Sequence, residues 1–198
     1  AADLLPNTHK QYIGRLGIKG DRPGNFSIQN ADLVISIGCH LSVALTGFEY
    51  DLFVRDAELF VIDIDKNEHK KNTVKIDKFI HSDVKNFFSR FNAKYDFKDW
   101  LKVCVRWKNI WPVCLPEYQT QKKLINKYAF IDTMQKALKK NSVVVSDAGS
   151  SYYVTSQSFQ PIKNQRYITS GAQADMGFTL PAAIGVAFAS KNSMVVGV

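Results

Sequence analysis

The sequence predicts an α/β protein built from two doubly wound parallel-sheet units. Three observations carry this reading. Short, nearly all-apolar runs recur, as in ADLVISIG from Ala31, ELFVIDID from Glu58 and SVVVS around Val143–Val145. Strands buried on both faces by covering helices read as continuous apolar runs, whereas half-solvated strands alternate. Helix-like segments lie between these runs, and small residues crowd the carboxyl ends of the second set. That is where open α/β sheets hold ligands.

The first unit is expected over residues 1–91. ADLVISIG is read as a strand ending at Gly38, Phe48 to Arg55 as a helix, and Glu58 to Asp65 as the next strand, which makes a β-α-β signature. KFIHSDVKNFFSR, from Lys78, reads as a strand end and then a helix with Ser82 or Asp83 as N-cap. Residues 92–121 are expected to be a helical linker. Trp100, Val103, Cys104 and Trp107 stand at helical spacing, and Pro112 and Pro116 follow.

Residues 122–198 begin the second unit. Ile125, Tyr128, Phe130, Ile131, Met134 and Leu138 fit a helix of about three turns with a basic last turn. A buried strand at Val143–Val145 then runs into Asp147-Ala148-Gly149-Ser150-Ser151. RYITSGAQADMGF supplies a short strand and a Gly/Ala-rich loop. A helix is expected from near Thr179, with Pro181 in its first turn. Its residues Ala182, Ala183, Gly185 and Ala187 are small enough for close packing, and MVVGV reads as a third buried strand.

Composition bounds the function. The chain has 198 residues, 45% of them hydrophobic, enough for one medium core or two small ones. Cys39, Cys104 and Cys114 form no CxxC pair and have no histidine at ligand spacing, which argues against a disulfide framework or a zinc site and for a cytoplasmic setting. No apolar run reaches the ~20 residues of a membrane span, and no basic-then-apolar leader opens the sequence. The formal charge of +8 comes from lysines scattered over helix ends and loops, without an arginine stripe or interleaved aromatics. It therefore points to solvated surface rather than nucleic acid. His9, His40, His69 and His81 are dispersed and suggest neither metal nor nucleophile geometry.

The order strand, DAGSS, helix, strand, TSGAQADMGFTLPAAIGVAFA, strand resembles the diphosphate-binding domain of thiamine-diphosphate-dependent enzymes related to acetolactate synthase. Ser170, Gly171, Met176, Gly177 and Leu180 to Gly185 stand where that family has its cofactor loop and the helix after it. GRLGIKGDRPGN, ADLVISIG, Thr46-Gly47 and IDIDKNEHKKN resemble, in order, its Rossmann-like central domain. The resemblance implies thiamine diphosphate and Mg2+ as cofactors, and a decarboxylase or carboligase whose cofactor ylide attacks a pyruvate-like 2-oxo acid. It also implies a homodimer or homotetramer.

The resemblance further implies which residues touch the cofactor. Met176 is the wedge that keeps its rings in a V, its rival role being an ordinary core methionine. The Ala174 carbonyl accepts from the aminopyrimidine, and Gly171 and Gly177 admit the rings. Ala148, Gly149, Ser150 and Ser151 reach the pyrimidine and the diphosphate. Acetolactate synthases usually have Gly-Gln-His-Gln in the last segment, so serines here replace an amide and an imidazole. The activating glutamate is expected in an N-terminal domain, and the magnesium-binding Gly-Asp-Gly and asparagine after Val198, so these 198 residues alone are expected to be inactive.

GCHLSVALTG, Gly38 to Gly47, lacks the arginines and acids of the family's flavin segment, so FAD is not expected. Gly14, Gly17, Gly20 and Gly24 do not spell GxGxxG. They read as turns, and by resemblance they lie beside the active-site entrance or a vestigial nucleotide cleft. Asp63 and Asp65 fit either a ribose contact or plain strand termination. The alternatives are a nucleotide-binding module for ADP, CoA or FAD, and a basic protein for acidic partners.

Overall fold

The structure, a computed structural model, describes residues 3–93, 95–171 and 173–198. Two three-stranded parallel sheets carry the fold. In the first unit, helix α1 (Arg22–Gln29) leads into strand β1 (Leu33–Ile37). A one-turn helix α2 (Val43–Thr46) follows, then strand β2 (Glu58–Asp63), strand β3 (Lys78–His81) and helix α3 (Val84–Arg90). Its sheet has the order β1-β2-β3, with Leu33 opposite Glu58 and Phe60 opposite Lys78. Leu41, Phe53, Val54, Leu59, Val61 and Val74 form the core. Asp83 caps α3 by accepting from the amides of Lys85 and Asn86 at 2.8 and 3.3 Å.

Two expectations for this unit need correction. Residues 48–55 form no α-helix; they hold a 3-10 turn at Tyr50–Leu52, and the one-turn α2 before it stops at Gly47, whose φ is +80°. Packing decides this against local pattern. Phe53 and Val54 turn into the core, and Val54 takes φ +47°, costly for a β-branched residue, to do so. Nor is β1 buried on both faces: Leu33 and Ile35 are exposed, because it is an edge strand with one face uncovered.

Helix α4 (Lys98–Ile110) carries the tryptophan stripe and packs on α1. Phe26 lies 4.8 Å from Trp111 and 6.0 Å from Trp107, ring centre to ring centre. A short helix α5 (Pro116–Gln119) then leads to α6 (Lys127–Ala137). Strand β4 (Val143–Ser146), helix α7 (Gly149–Ser158), strand β5 (Arg166–Thr169), helix α8 (Thr179–Ala189) and strand β6 (Val195–Gly197) complete the second unit. The sheet order is β5-β4-β6, and β4 is buried at every position. The chain thus leaves β4 to one side through α7 and crosses to its other side through α8. Such a reversal creates the crevice where doubly wound sheets bind ligands. β6, expected to be buried, is half-buried in the sheet that residues 1–198 form.

The two units touch. The Gln157 side-chain amide on α7 donates to the carbonyls of Lys19 and Gly20 at 3.2 and 3.0 Å. Lys19 Nζ sits 4.0 Å from the Tyr153 ring centre. Asp3 accepts from the Tyr167 amide at 3.0 Å and pairs with Arg166 at 2.5 Å.

Candidate cofactor site at the carboxyl edge of the second sheet

Parallel register sets Ser146 beside Thr169 and Val145 beside Gly197, so the segments after β4, β5 and β6 emerge together at one sheet edge. The expected residues Ala148, Gly149, Ser150 and Ser151 follow β4, and Gly171, Ala174, Met176 and Gly177 follow β5. Asp147 joins the two groups. Its carboxylate accepts from the Ala148 amide at 2.7 Å, the Gly177 amide at 2.9 and 3.1 Å, and the Thr179 amide at 3.4 Å. These bonds, led by that from Ala148, hold the carboxyl below its ordinary range against partial desolvation. The residue before α8, Phe178, offers no side-chain cap, and Asp147 reaches across from β4 to supply one.

The loop from Ser170 to Phe178 is shaped by three local features. The Ala174 amide donates to Ser170 O at 2.6 Å, and Ala174 and Gly177 take φ of +58° and +83°. Ser170 Oγ donates to Asp175 at 2.5 Å. Met176 is left 91% exposed, outside the core of the second unit. Gly171 lies against Tyr152: a Cβ placed there would stand 2.9 Å from the ring's Cε2 and Oη. Burial pushes the Tyr152 phenol above its ordinary range.

Ala148 precedes α7 without a side-chain cap, and the first-turn amides of Gly149, Ser150 and Ser151 have no intrahelical partner. Such a terminus suits an anion, through its free N–H groups and the helix dipole. The serine hydroxyls are engaged: Ser150 Oγ accepts from Lys127 Nζ at 2.8 Å, and Ser151 Oγ donates to Val198 O at 2.5 Å. Lys127 is therefore a cation beside the open helix end. A small cavity of about 200 Å3 next to it is lined by Lys127, Phe130, Ser150, Ser151 and Val198, among others.

These features fit an organic diphosphate: an uncapped helix terminus, a lysine, a loop with left-handed turns and a projecting methionine. Asp147 and Lys127 went unnoticed as site residues in the sequence, although Asp147 stands directly after an all-apolar strand and before a helix. Among the described residues no group of three or more His, Cys, Asp or Glu side chains could hold a metal. Nor is any helix among the described residues long and apolar enough to cross a membrane.

The carboxyl edge of the first sheet is built differently. Gly38 follows β1 with φ +55°. His40 Nδ1 meets the buried Glu68 at 2.5 Å, and Lys71 Nζ meets its other oxygen at 2.6 Å. The carboxylate of Asp63 accepts from the Asp65 amide at 2.9 Å, closing a local turn.

Comparison with known proteins identifies the family. Residues 1–91 match the family described as thiamine pyrophosphate enzyme, central domain, and residues 147–198 that described as thiamine pyrophosphate enzyme, C-terminal TPP binding domain. The chain is 30% identical over 202 residues to acetolactate synthase isozyme 3 large subunit of Escherichia coli (strain K12), a match covering 97% of the chain and 34% of that protein. It is 31% identical over 197 residues to acetolactate synthase large subunit of Lactococcus lactis subsp. lactis (strain IL1403), covering 97% and 33%. It is 27% identical over 206 residues to the probable acetolactate synthase large subunit of Methanocaldococcus jannaschii, covering 98% and 34%. The chain spans about a third of the length of these relatives. With its first 91 residues and its last 52 matched in order to two domains of one enzyme type, the chain belongs to the thiamine pyrophosphate enzymes of the acetolactate synthase-like kind.

Proposed function

We propose that this chain supplies the central and cofactor-binding parts of a thiamine-diphosphate-dependent 2-oxo acid decarboxylase or carboligase that acts on pyruvate-like substrates. The observation carrying this reading is the bridge at Asp147, which holds the exposed Met176 loop and the uncapped start of α7 on one sheet edge. Bound there, thiamine diphosphate supplies a nucleophilic carbon for the 2-oxo group and an electron sink when carbon dioxide leaves.

The chain's own residues bind and orient. The amides of Gly149, Ser150 and Ser151, with Lys127 beside them, face the diphosphate. Met176 would wedge between the two rings, and the carbonyl of Ala174, a residue with left-handed φ, would accept from the aminopyrimidine. Gly171 and Gly177 let the loop come close. Magnesium accompanies the diphosphate, with ligands outside the described residues. The working enzyme is cytoplasmic and a homodimer or homotetramer, and residues 1–198 alone do not turn over a 2-oxo acid. FAD is not part of the reading, since His40 and Lys71 are spent on Glu68 where a flavin segment would need open polar groups. The nucleotide-module alternative loses ground because Asp63 is closed onto its own turn.

The test is carbon dioxide release from pyruvate and other short 2-oxo acids by the full-length protein. Release that requires both thiamine diphosphate and magnesium is expected. Absence of cofactor-dependent release from every 2-oxo acid tried, with ADP binding retained, would support the nucleotide module instead.

A further inference from the structure

Helix α7 has one end in each unit's business. Its first turn faces the candidate cofactor site, and its last turn meets the Gly14–Asp21 loop of the first unit. Arg15 makes that contact. One guanidinium N–H donates to Ser156 O, and another reaches Phe159 O at 3.4 Å. The guanidinium also lies 5.6 Å from the Tyr167 ring centre, and its Nε donates to Tyr12 Oη at 3.2 Å. A cation here completes carbonyls that a helix leaves unpaired and opposes the negative end of its dipole.

The loop that presents Arg15 is built without slack. Asp21 accepts from the Arg15 and Gly24 amides, each at 2.8 Å. A Cβ on Gly20 would fall 2.2 Å from Arg15 O, and one on Gly24 would fall 2.5 Å from that oxygen and 2.6 Å from Arg15 N. Tyr167, under the guanidinium, ties the other side. Its hydroxyl bonds Ser146 Oγ at 2.7 Å and Ser156 Oγ at 2.8 Å, so it joins the last turn of α7 to the residue before Asp147. The chain of contacts runs from the glycine-packed loop through Arg15 and Tyr167 to both sides of the site.

We infer that Arg15 is a positioning residue: it fixes α7 and the end of β4 so that the open helix terminus stays aligned with the Met176 loop. The inference rests on the proposed cofactor reading. Arg15 acts on cofactor affinity and not on the bond-making step, because it lies a full helix length from the terminus that faces the diphosphate.

The experiment compares wild type, Arg15→Met, Arg15→Lys and Asp3→Asn in the full-length protein. Dissociation constants for thiamine diphosphate with magnesium are read by calorimetry, and turnover is read at saturating cofactor. Arg15→Met is expected to weaken cofactor binding about tenfold, the loss of one or two charge-assisted bonds, with saturated turnover within about twofold. Arg15→Lys restores part of the affinity, since it keeps the charge but not the fork. Asp3→Asn loosens the same interface at β5 without touching α7 and leaves affinity near wild type. Should Arg15→Met not fold, Arg15→Lys against Asp3→Asn carries the test. Wild-type affinity in the Arg15 variants, or an equal loss in Asp3→Asn, overturns the inference. Failure of wild type itself to bind thiamine diphosphate overturns the reading beneath it.

Discussion

Replacing Gly171 by alanine puts a methyl group where the Tyr152 ring already lies. The new Cβ would stand 2.9 Å from Cε2 and Oη and 3.0 Å from Cζ, against an ordinary carbon contact near 3.7 Å. Either the ring or the loop must move by roughly 0.8 Å. Tyr152 is half-buried and its ring also meets Tyr153 edge-on at 5.5 Å, so it has little room to turn aside. Overpacking of this kind costs about 1–3 kcal/mol, and at ~2 kcal/mol the melting temperature of a chain this size falls by about 4–8 °C. Displacing the loop also moves Ala174 and Met176, so affinity for thiamine diphosphate falls with stability. The assay is a double-mutant cycle of Gly171→Ala and Tyr152→Ala followed by thermal unfolding and cofactor titration. With the ring gone, alanine at 171 should cost under about 0.5 kcal/mol. An equal cost in both backgrounds would show that Tyr152 is not what requires glycine there.

Three further outcomes follow from individual groups. Met176→Ala should leave stability within about 0.5 kcal/mol of wild type, because the side chain is exposed. It should weaken cofactor binding about ten- to hundredfold, the value of burying a methionine side chain, and unchanged affinity by calorimetry would remove the wedge. Asp147 has a carboxyl pKa lowered chiefly by the Ala148 amide, so it stabilises the fold above the ordinary aspartate range and loses that contribution as pH falls through its lowered value. Asp147→Asn should therefore flatten the acid limb of the unfolding profile, and a limb of wild-type steepness would contradict the bonding pattern. Asp21 has the opposite sign: burial, the largest influence, raises its pKa against its amide bonds, so ionisation costs stability as pH rises from the ordinary aspartate range through the raised value. Denaturant titrations of wild type and Asp21→Asn across that window should show wild type losing ground with pH, and a constant difference between them would refute it.

Much of the fold was legible because its strands are short apolar runs and its helices are punctuated by cap residues. Asp83 at the start of α3 and the Pro181-containing start of α8 lie where sequence patterning puts them. The segment 48–55 reads as a helix, but Phe53 and Val54 are claimed by the core of the first unit, at the cost of a left-handed valine. Strands β1 and β6 are less covered within residues 1–198 than their apolar runs suggest. Sequence reports that a strand is apolar, not how much of it neighbouring elements cover, and Leu33 and Ile35 stay exposed on an edge.

At the site, the loop residues stood out through the family motif, whereas Asp147, Lys127 and Arg15 did not. Their roles depend on contacts across 23 to 141 residues of sequence, such as Lys127 to Ser150, Asp147 to Gly177 and Arg15 to Ser156. A lysine, aspartate or arginine carries no local signal of so distant a partner, even where, as at Asp147 and Arg15, it stands inside a motif. Gly14, Gly20 and Gly24 read as turns, and the structure gives them a further reason: the Asp21 carboxylate crowds Gly14, and the Arg15 backbone crowds Gly20 and Gly24.

Amide hydrogen exchange on the full-length protein, with and without thiamine diphosphate and magnesium, locates the cofactor residue by residue. Protection should appear at Gly149–Ser151 and across Gly171–Gly177, and not at Gly38–Gly47. Protection confined to the first sheet's edge, or none at either place at saturating cofactor, would contradict the assignment of the site.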